Sequence, residues 1–331
     1  MLSDIVSLMA FSSVNLAKQV LATTTYTATG MPMRLLGNTR VPVSILGVGG
    51  WHIGAIKDDK ESIKLMQTAL GEGINFWDNA WDYHDGRSET LMGKALKGRR
   101  DKVFLMSKNC ERDYKGSLKN LDDSLKRLKT DHLDLWQFHE MVYDNDPAWI
   151  FEKGGIRAAE EAKKAGKVRF LGFTGHKAPW IHLDLLKRDF AWDTAQMSLN
   201  LADVHYRSFQ KTVVPECLKK GMGIIGMKGL GGGYPDGRIL SKTSFTVEEC
   251  YSYALSLPVS TLVIGISKLE HLHQDVAVAR NFKPLSAAQM KALEARCAEE
   301  ASDGRFELYK STSLFDGPHH RKQHGFPMQA G

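Results

Sequence analysis

Eight times between residues 43 and 267 the chain repeats one rhythm: a short run of β-branched, aromatic and other apolar residues, then a stretch with helical spacing. The runs fall at 43–49 (VSILGVG), 74–78 (INFWD), 103–108 (VFLMSK), 133–139 (LDLWQFH), 168–175 (VRFLGFTG), 194–200 (TAQMSLN), 223–229 (GIIGMKG) and 261–267 (TLVIGIS). Each is nearly continuous in apolar character, as parallel strands covered on both faces must be. Between them, as in YKGSLKNLDDSLKRLKT, leucines recur at spacings of three and four: Leu118, Leu121, Leu125 and Leu128. Eight such units fit a closed (β/α)8 TIM barrel, a fold of about 250 residues. A doubly wound sheet would want a GxGxxG turn leading from its first strand into a helix. GVGGWHIG (47–54) has neither that spacing nor the pattern of a helix behind it. The expected architecture is an α/β protein with a single barrel domain over residues 33–300 and a C-terminal extension.

The flanks read differently. Residues 1–32 are rich in Ser, Thr and Ala, and their first charge is the acidic Asp4. They lack the positive n-region and unbroken apolar core of a secretory leader, so a poorly structured or partly helical N-terminal extension is expected. Residues 301–331 form an irregular tail whose Phe306, Tyr309 and Phe315 are expected to pack on the barrel. No window approaches the roughly 18 uncharged apolar residues of a membrane span. The net charge of +6 is scattered, with no aromatic–basic stripe of the kind that binds nucleic acid. Neither membrane nor nucleic acid is an expected partner. A modest positive balance suits an anionic small molecule such as a phosphorylated cofactor. The four cysteines form no CxxC pair, which argues against a metal ribbon. They are expected to be reduced thiols in a cytoplasmic protein, with export through an atypical leader as the lesser alternative.

One stretch concentrates chemistry. NFWDNAWDYHDG (75–86) holds two tryptophans, three aspartates, a tyrosine and a histidine. Taken alone it reads as a turn, since Asn, Asp and Gly bond their own backbone and tolerate left-handed conformations. A barrel changes its meaning, because barrel active sites lie at the C-terminal ends of the strands. There the second run ends at Asp78, with Tyr83 just beyond; the third ends at Lys108 and the fourth at His139. Each polar group follows an apolar run, where an unpaired charge is expensive. Four of them on three successive strands would converge on one pocket. Asp82, His84 and Asp85 are expected to be the solvated part of the loop.

These residues carry a resemblance. WDNAWDYHDGRSETLMGKAL is similar to the D-x-A-x-x-Y-x-x-G…E-x-x-x-G segment of the aldo-keto reductases, through Asp78, Ala80, Tyr83, Gly86, Glu89 and Gly93. SLKRLKTDHLDLWQFH resembles that family's second signature, which ends in its catalytic histidine, here His139. The resemblance spans roughly residues 33–285 and implies an NAD(P)H-dependent oxidoreductase acting on a small carbonyl or alcohol. Tyr83 would be the proton donor, with Lys108 lowering a phenol pKa that is ordinarily about 10. Asp78 would hold Lys108, His139 would bond the carbonyl oxygen, and Trp51 and Trp81 would wall the substrate. For the cofactor, the resemblance implies Thr174, His176 and Gln196 near the nicotinamide. Met227 stands where the family has a stacking aromatic, and Lys228, Leu230, Gly231 and Gly232 would lie along the pyrophosphate. Ser267, Lys268, His271, Gln274 and Asp275 would serve the adenosine end. NADP(H) is favoured by the family's habit, with NAD(H) open, because the family's usual Lys and Arg for the 2′-phosphate become Gly265 and His271.

Two rivals are weighed beside it. A metal-dependent barrel hydrolase needs clustered His and Asp ligands, and the only HxH, HLH at 271–273, lies on a predicted helix; no metal is expected. A non-catalytic cofactor-binding regulatory protein on the same barrel is the alternative function, against which the complete set of four polar groups argues.

Overall fold

The computed structural model describes residues 25–233 and 237–328. Eleven strands are present among them. The first three, β1 (Thr25–Tyr26), β2 (Pro32–Leu35) and β3 (Pro42–Ser44), form a small antiparallel sheet in that order. The other eight are β4 (Leu46–Gly49), β5 (Phe76–Asp78), β6 (Phe104–Asn109), β7 (Leu133–Phe138), β8 (Val168–Thr174), β9 (Thr194–Ser198), β10 (Gly223–Met227) and β11 (Thr261–Ile264). They close into a parallel barrel in sequence order, β11 pairing back onto β4 through Val263 and Gly47. The chain thus has the (β/α)8 architecture.

The apolar run at 43–49 proves to be two strands. Its first part ends the antiparallel hairpin and its second begins the barrel, with the corner fixed by Ser44, whose Oγ donates to Leu46 O at 2.6 Å. The hairpin closes the N-terminal end of the barrel. Leu36 and Val43 pack there against Phe76, Phe104, Met106, Leu135 and Ile225 from the interior of the strands. Arg34 is buried in the same plug and donates to Val259 O at 2.7 Å and Leu255 O at 2.8 Å. The expectation for residues 1–24 lies outside the described residues. GVGGWHIG does lead into a short helix, Gly50–Ala55, contrary to its pattern.

Helices cover the barrel's outer face. In Tyr114–Leu128 the buried stripe runs Ser117, Asn120, Leu121, Ser124 and Leu128, offset from the leucine repeat because polar groups take part. Asn109 Nδ2 donates to Ser117 Oγ at 2.8 Å, and Asn120 Oδ1 accepts from Cys110 N at 3.0 Å. These bonds tie the end of β6 to its own crossover helix. Gly93 lets the neighbouring helix Arg87–Ala95 approach: a Cβ there would collide with the Arg127 carbonyl. Glu89 of that helix is buried and accepts from Ser107 Oγ at 2.5 Å and Arg127 Nη1 at 3.0 Å.

The tail is ordered into two short helices, Leu308–Ser311 and Pro318–Gln323, after the capped helix Ala287–Ala301. Lys310 is fully buried, with Nζ 2.6 Å from Asp203 Oδ1 and 2.8 Å from Glu307 Oε2. Among the described residues no helix is long and apolar enough to cross a membrane.

Candidate active site

A cavity of about 570 Å³ opens at the C-terminal mouth of the barrel. Asp78, Tyr83, Lys108 and His139 all line it, so the four groups expected at three strand ends do converge. Lys108 Nζ is paired with Asp78 Oδ1, donates to Asn79 O at 2.8 Å and lies 3.4 Å from the Tyr83 hydroxyl. Lys108 and Asp78 are both buried, which makes a pair of this kind worth little for stability when intact but costly to break.

The turn that delivers Tyr83 is strained. His84 and Asp85 take φ of 52° and 54°, and Gly86 follows at 82°. Left-handed backbone costs a non-glycine residue roughly 1–2 kcal/mol, and local strain of this sort collects at functional loops. His84 Nε2 donates to Trp51 O at 2.8 Å, bracing the turn against the helix after β4. The turn faces Asp82 inward. Its Oδ1 lies 3.2 Å from His139 Nδ1, and Asp82, His84 and Asp85 all line the cavity. Asp85 is exposed, as expected of a solvated loop, and His84 is half-buried; Asp82 departs from the expectation, because docking of the turn against β7 and the tail turns it in.

Burial pushes the Tyr83 phenol well above its ordinary value, and the carboxyls of Asp78, Asp82 and Glu140 add to the effect. The direction is opposite to the lowering expected from Lys108, because burial outweighs it. Burial also lowers the His139 pKa, against an opposing pull from Asp82. Burial works against ionisation of Asp82, yet the imidazoles of His139 and His320 hold it below the usual carboxylate range. Glu140 goes the other way: burial, then repulsion from Asp82, pushes it up to about 8.

Sequence reasoning missed Glu140, His52 and Asp316, all of which line the cavity. Glu140 follows His139 directly, at φ 44°, and accepts from Gly317 N at 2.7 Å. Arg112 fixes the backbone there by donating to the carbonyls of His139 at 2.9 Å and Glu140 at 3.0 Å while paired with Asp146 at 2.8 Å. Asp316 comes from the tail and is paired with Lys177. The adjacency of Glu140 to the motif histidine was a usable signal; for Asp316 there was none.

Of the expected cofactor residues, Thr174, His176, Gln196, Met227, Lys228, Leu230 and Gly232 line the cavity. Gln196 donates through Nε2 to Asp78 Oδ2 at 2.6 Å, and among the described residues its buried Oε1 has no hydrogen-bond partner, nor has His176 Nε2. Gly231 takes φ 79° just behind the wall. Past β11 the wall reaches Gly265. Ser267, Lys268, His271, Gln274 and Asp275 belong to the following helix, Leu269–Asn281, and its approach, outside the cavity lining. There Ser267 Oγ lies 3.1 Å from His271 Nδ1, and Asp275 is buried with its pKa raised well up by desolvation. Trp51 stands at the cavity edge, 42% exposed. Trp81 points elsewhere, donating to Asp123 Oδ2 at 3.1 Å beneath His319.

Comparison with known proteins gives the family. The Aldo/keto reductase family profile matches residues 45–249. Uncharacterized oxidoreductase YrpG of Bacillus subtilis (strain 168) is 32% identical over 243 residues, 65% of this chain and 72% of that protein. The holo form of aldo-keto reductase AKR11C1 from Bacillus halodurans superposes with a TM-score of 0.69 at 25% identity, covering 84% of this chain and 99% of the other. An aldo-keto reductase from Klebsiella pneumoniae in complex with NADP and acetate shares the fold at a TM-score of 0.66 and 20% identity, over 80% and 95% of the two chains. The chain belongs to the aldo-keto reductase family and is an enzyme of that family.

Proposed function

We propose that this enzyme interconverts a small carbonyl compound and its alcohol with a nicotinamide cofactor, using Tyr83, Lys108, Asp78 and His139 as its catalytic groups. The observation that carries the reading is the buried cluster at the cavity floor, where Tyr83 and His139 stand edge to face with ring centroids 5.4 Å apart over the Lys108–Asp78 pair. Tyr83, its phenol kept protonated by burial, gives its proton to the carbonyl oxygen. Lys108 then faces the phenolate that this leaves and limits its cost. The His139 ring frames the other side of the same oxygen.

The residues fit a nicotinamide. Gln196 Oε1, without a hydrogen-bond partner among the described residues, is an acceptor for a carboxamide N–H, beside Thr174 and His176. Gly229, Gly232 and Gly233 leave room for a diphosphate beside Lys228. When bound, the reduced cofactor supplies a hydride. NADP(H) is the form proposed, on the likeness to the Klebsiella pneumoniae protein that carries NADP and on Ser267 and Lys268 at the head of their helix. Trp51 is proposed as an apolar wall for substrate.

The test is NADPH oxidation with a panel of aldehydes and ketones, comparing wild type with Tyr83→Phe. Loss of roughly 10²-fold or more in kcat is expected for a missing general acid. Equal rates would remove Tyr83 from the chemistry. Titrating NADPH and NADH in parallel decides the cofactor.

A further inference from the structure

Four side chains from four separate segments meet behind the cavity wall. Asp82 comes from the turn after β5, Cys110 follows β6, His139 follows β7 and His320 belongs to the tail, and one ligand atom of each lies within 4.8 Å of the other three. Among the described residues no other group of three or more histidines, cysteines and carboxylates converges in this way. His139 Nδ1 is 3.2 Å from Asp82 Oδ1 and 3.4 Å from Cys110 Sγ. Cys110 and His320 are fully buried, and His139 is nearly so.

The cluster is short of hydrogen bonds for so buried a place. Asp82 Oδ1 and His320 Nε2 are both buried, and neither has a hydrogen-bond partner among the described residues. A buried polar atom left in that condition costs free energy, and a carboxylate oxygen and an imidazole nitrogen are both ligand atoms for a cation. The tail is presented to the cluster by other contacts. Gln323 Nε2 donates to Cys110 O at 2.9 Å and to Glu111 Oε2 at 2.7 Å. Arg112 Nη2 reaches the His139 and Glu140 carbonyls at 2.9 and 3.0 Å and His320 Nδ1 at 3.4 Å. The last is the weakest of three contacts on a nitrogen with two hydrogens, so it does not fix the His320 tautomer.

We propose that Asp82, Cys110, His139 and His320 bind one zinc ion in tetrahedral coordination, clamping the tail onto the barrel mouth. Two nitrogens, a sulfur and an oxygen suit zinc, which accepts all three at about 2.0–2.3 Å. Bonds of that length put tetrahedral donors roughly 3.3–3.8 Å apart, and the 3.2 and 3.4 Å spacings at His139 Nδ1 are already close to that. Calcium and magnesium do not suit the set, because hard cations take oxygen ligands. Charge also balances. The Cys110 S–H bond breaks and its proton leaves to solvent as the S–Zn bond forms, so a thiolate and a carboxylate meet a dication between two neutral imidazoles. Four protein ligands leave no open position, which makes the site structural. Coordination at Nδ1 leaves the His139 ring hydrogen on Nε2, the form in which a neutral imidazole bound this way can still donate. The lack of CxxC and HxH ligand spacing, from which no metal is expected, does not bear on this site, because each ligand comes from a different segment. The inference rests on ligand geometry alone and stands apart from the carbonyl reading.

The test uses the full-length protein, freed of any affinity tag, and needs neither nicotinamide nor substrate. After growth in zinc-supplemented medium and dialysis, metal analysis is expected to find one zinc per chain. Cobalt(II) exchanged into the site should give the strong visible bands of tetrahedral cobalt together with a thiolate-to-metal charge-transfer band. Cys110→Ser should abolish that band. His320→Ala should weaken zinc binding on the order of 10²-fold, at least what loss of an outer-shell partner costs. His319→Ala removes a neighbouring histidine that pairs with Glu111 instead, and should leave affinity and spectrum unchanged. Zinc should slow limited proteolysis of the tail in the wild type but not in His320→Ala. The wild-type spectrum decides the matter even where a variant fails to fold: weak octahedral bands without charge transfer overturn the proposal. So does dialysed protein without stoichiometric zinc, or zinc affinity that survives both Cys110→Ser and His320→Ala.

Discussion

Gln196 and Asp78, 118 residues apart, are joined across the barrel by a 2.6 Å hydrogen bond from Gln196 Nε2 to Asp78 Oδ2. The other oxygen of the same carboxylate takes the Lys108 ammonium. One buried carboxylate therefore sets both the lysine under the tyrosine and the orientation of the glutamine amide, whose oxygen has no hydrogen-bond partner among the described residues. On the proposed reading, catalytic positioning and cofactor recognition share that one carboxylate.

Replacing Asp78 with Asn tests that coupling. Removing one partner of a buried ion pair costs about 3–5 kcal/mol because it strands the other charge. The urea midpoint should fall accordingly, and kcat should drop on the order of 10²-fold. NADPH affinity should weaken in the same variant, measured by quenching of tryptophan fluorescence. A variant with normal cofactor affinity would separate the two roles.

Glu140 makes stability depend on pH. Its folded-state pKa of about 8 stands above the ordinary 4.5, mainly through burial. The folded state holds this proton more tightly than the unfolded chain does. Its contribution is complete below the unfolded value and is lost as pH rises through about 8. The melting temperature of the wild type should therefore decline between about pH 5 and pH 8, and Glu140→Gln, which keeps an acceptor for Gly317 N, should flatten that decline. A decline of the same slope in Glu140→Gln would assign it to other groups.

Lys310 anchors the tail. Lys310→Met would leave Asp203 and Glu307 facing each other in a dry site, a loss of about 3–5 kcal/mol. Because Leu314 to Pro318 form part of the cavity wall, KM should rise more than kcat falls. Limited proteolysis should cut the variant near residues 308–328 well before the wild type, and equal cutting rates would show that the tail is held by other contacts.

How far this was readable from the sequence differs by feature. Asp78, Lys108 and His139 could be placed because each ends an apolar run, and a barrel puts the ends of successive strands side by side. Gln196, in the middle of β9, came instead from the resemblance to the family. The residues after β11 lie outside the cavity lining: Ser267 Oγ is 3.1 Å from His271 Nδ1 at the head of the helix, and Asp275 is buried. Trp81 misled because its indole finds Asp123 on a neighbouring helix, and no spacing records that choice. The leucine stripe of Tyr114–Leu128 was displaced by Ser117 and Asn120, polar residues buried for the partners they meet.

By itself the sequence determined the alternation of strand and helix, and with it the closed barrel and the strand ends that bear charge, because those depend on local periodicity and on burial of apolar runs. The tertiary structure decided which way the turn at 79–86 faces and what stands behind His139. Those depend on contacts between segments far apart in the chain, such as Arg112 with His320, 208 residues away. A carboxylate in a turn is solvated or buried according to what docks over it, and for Asp82 that is the end of β7 and a tail from the far end of the chain.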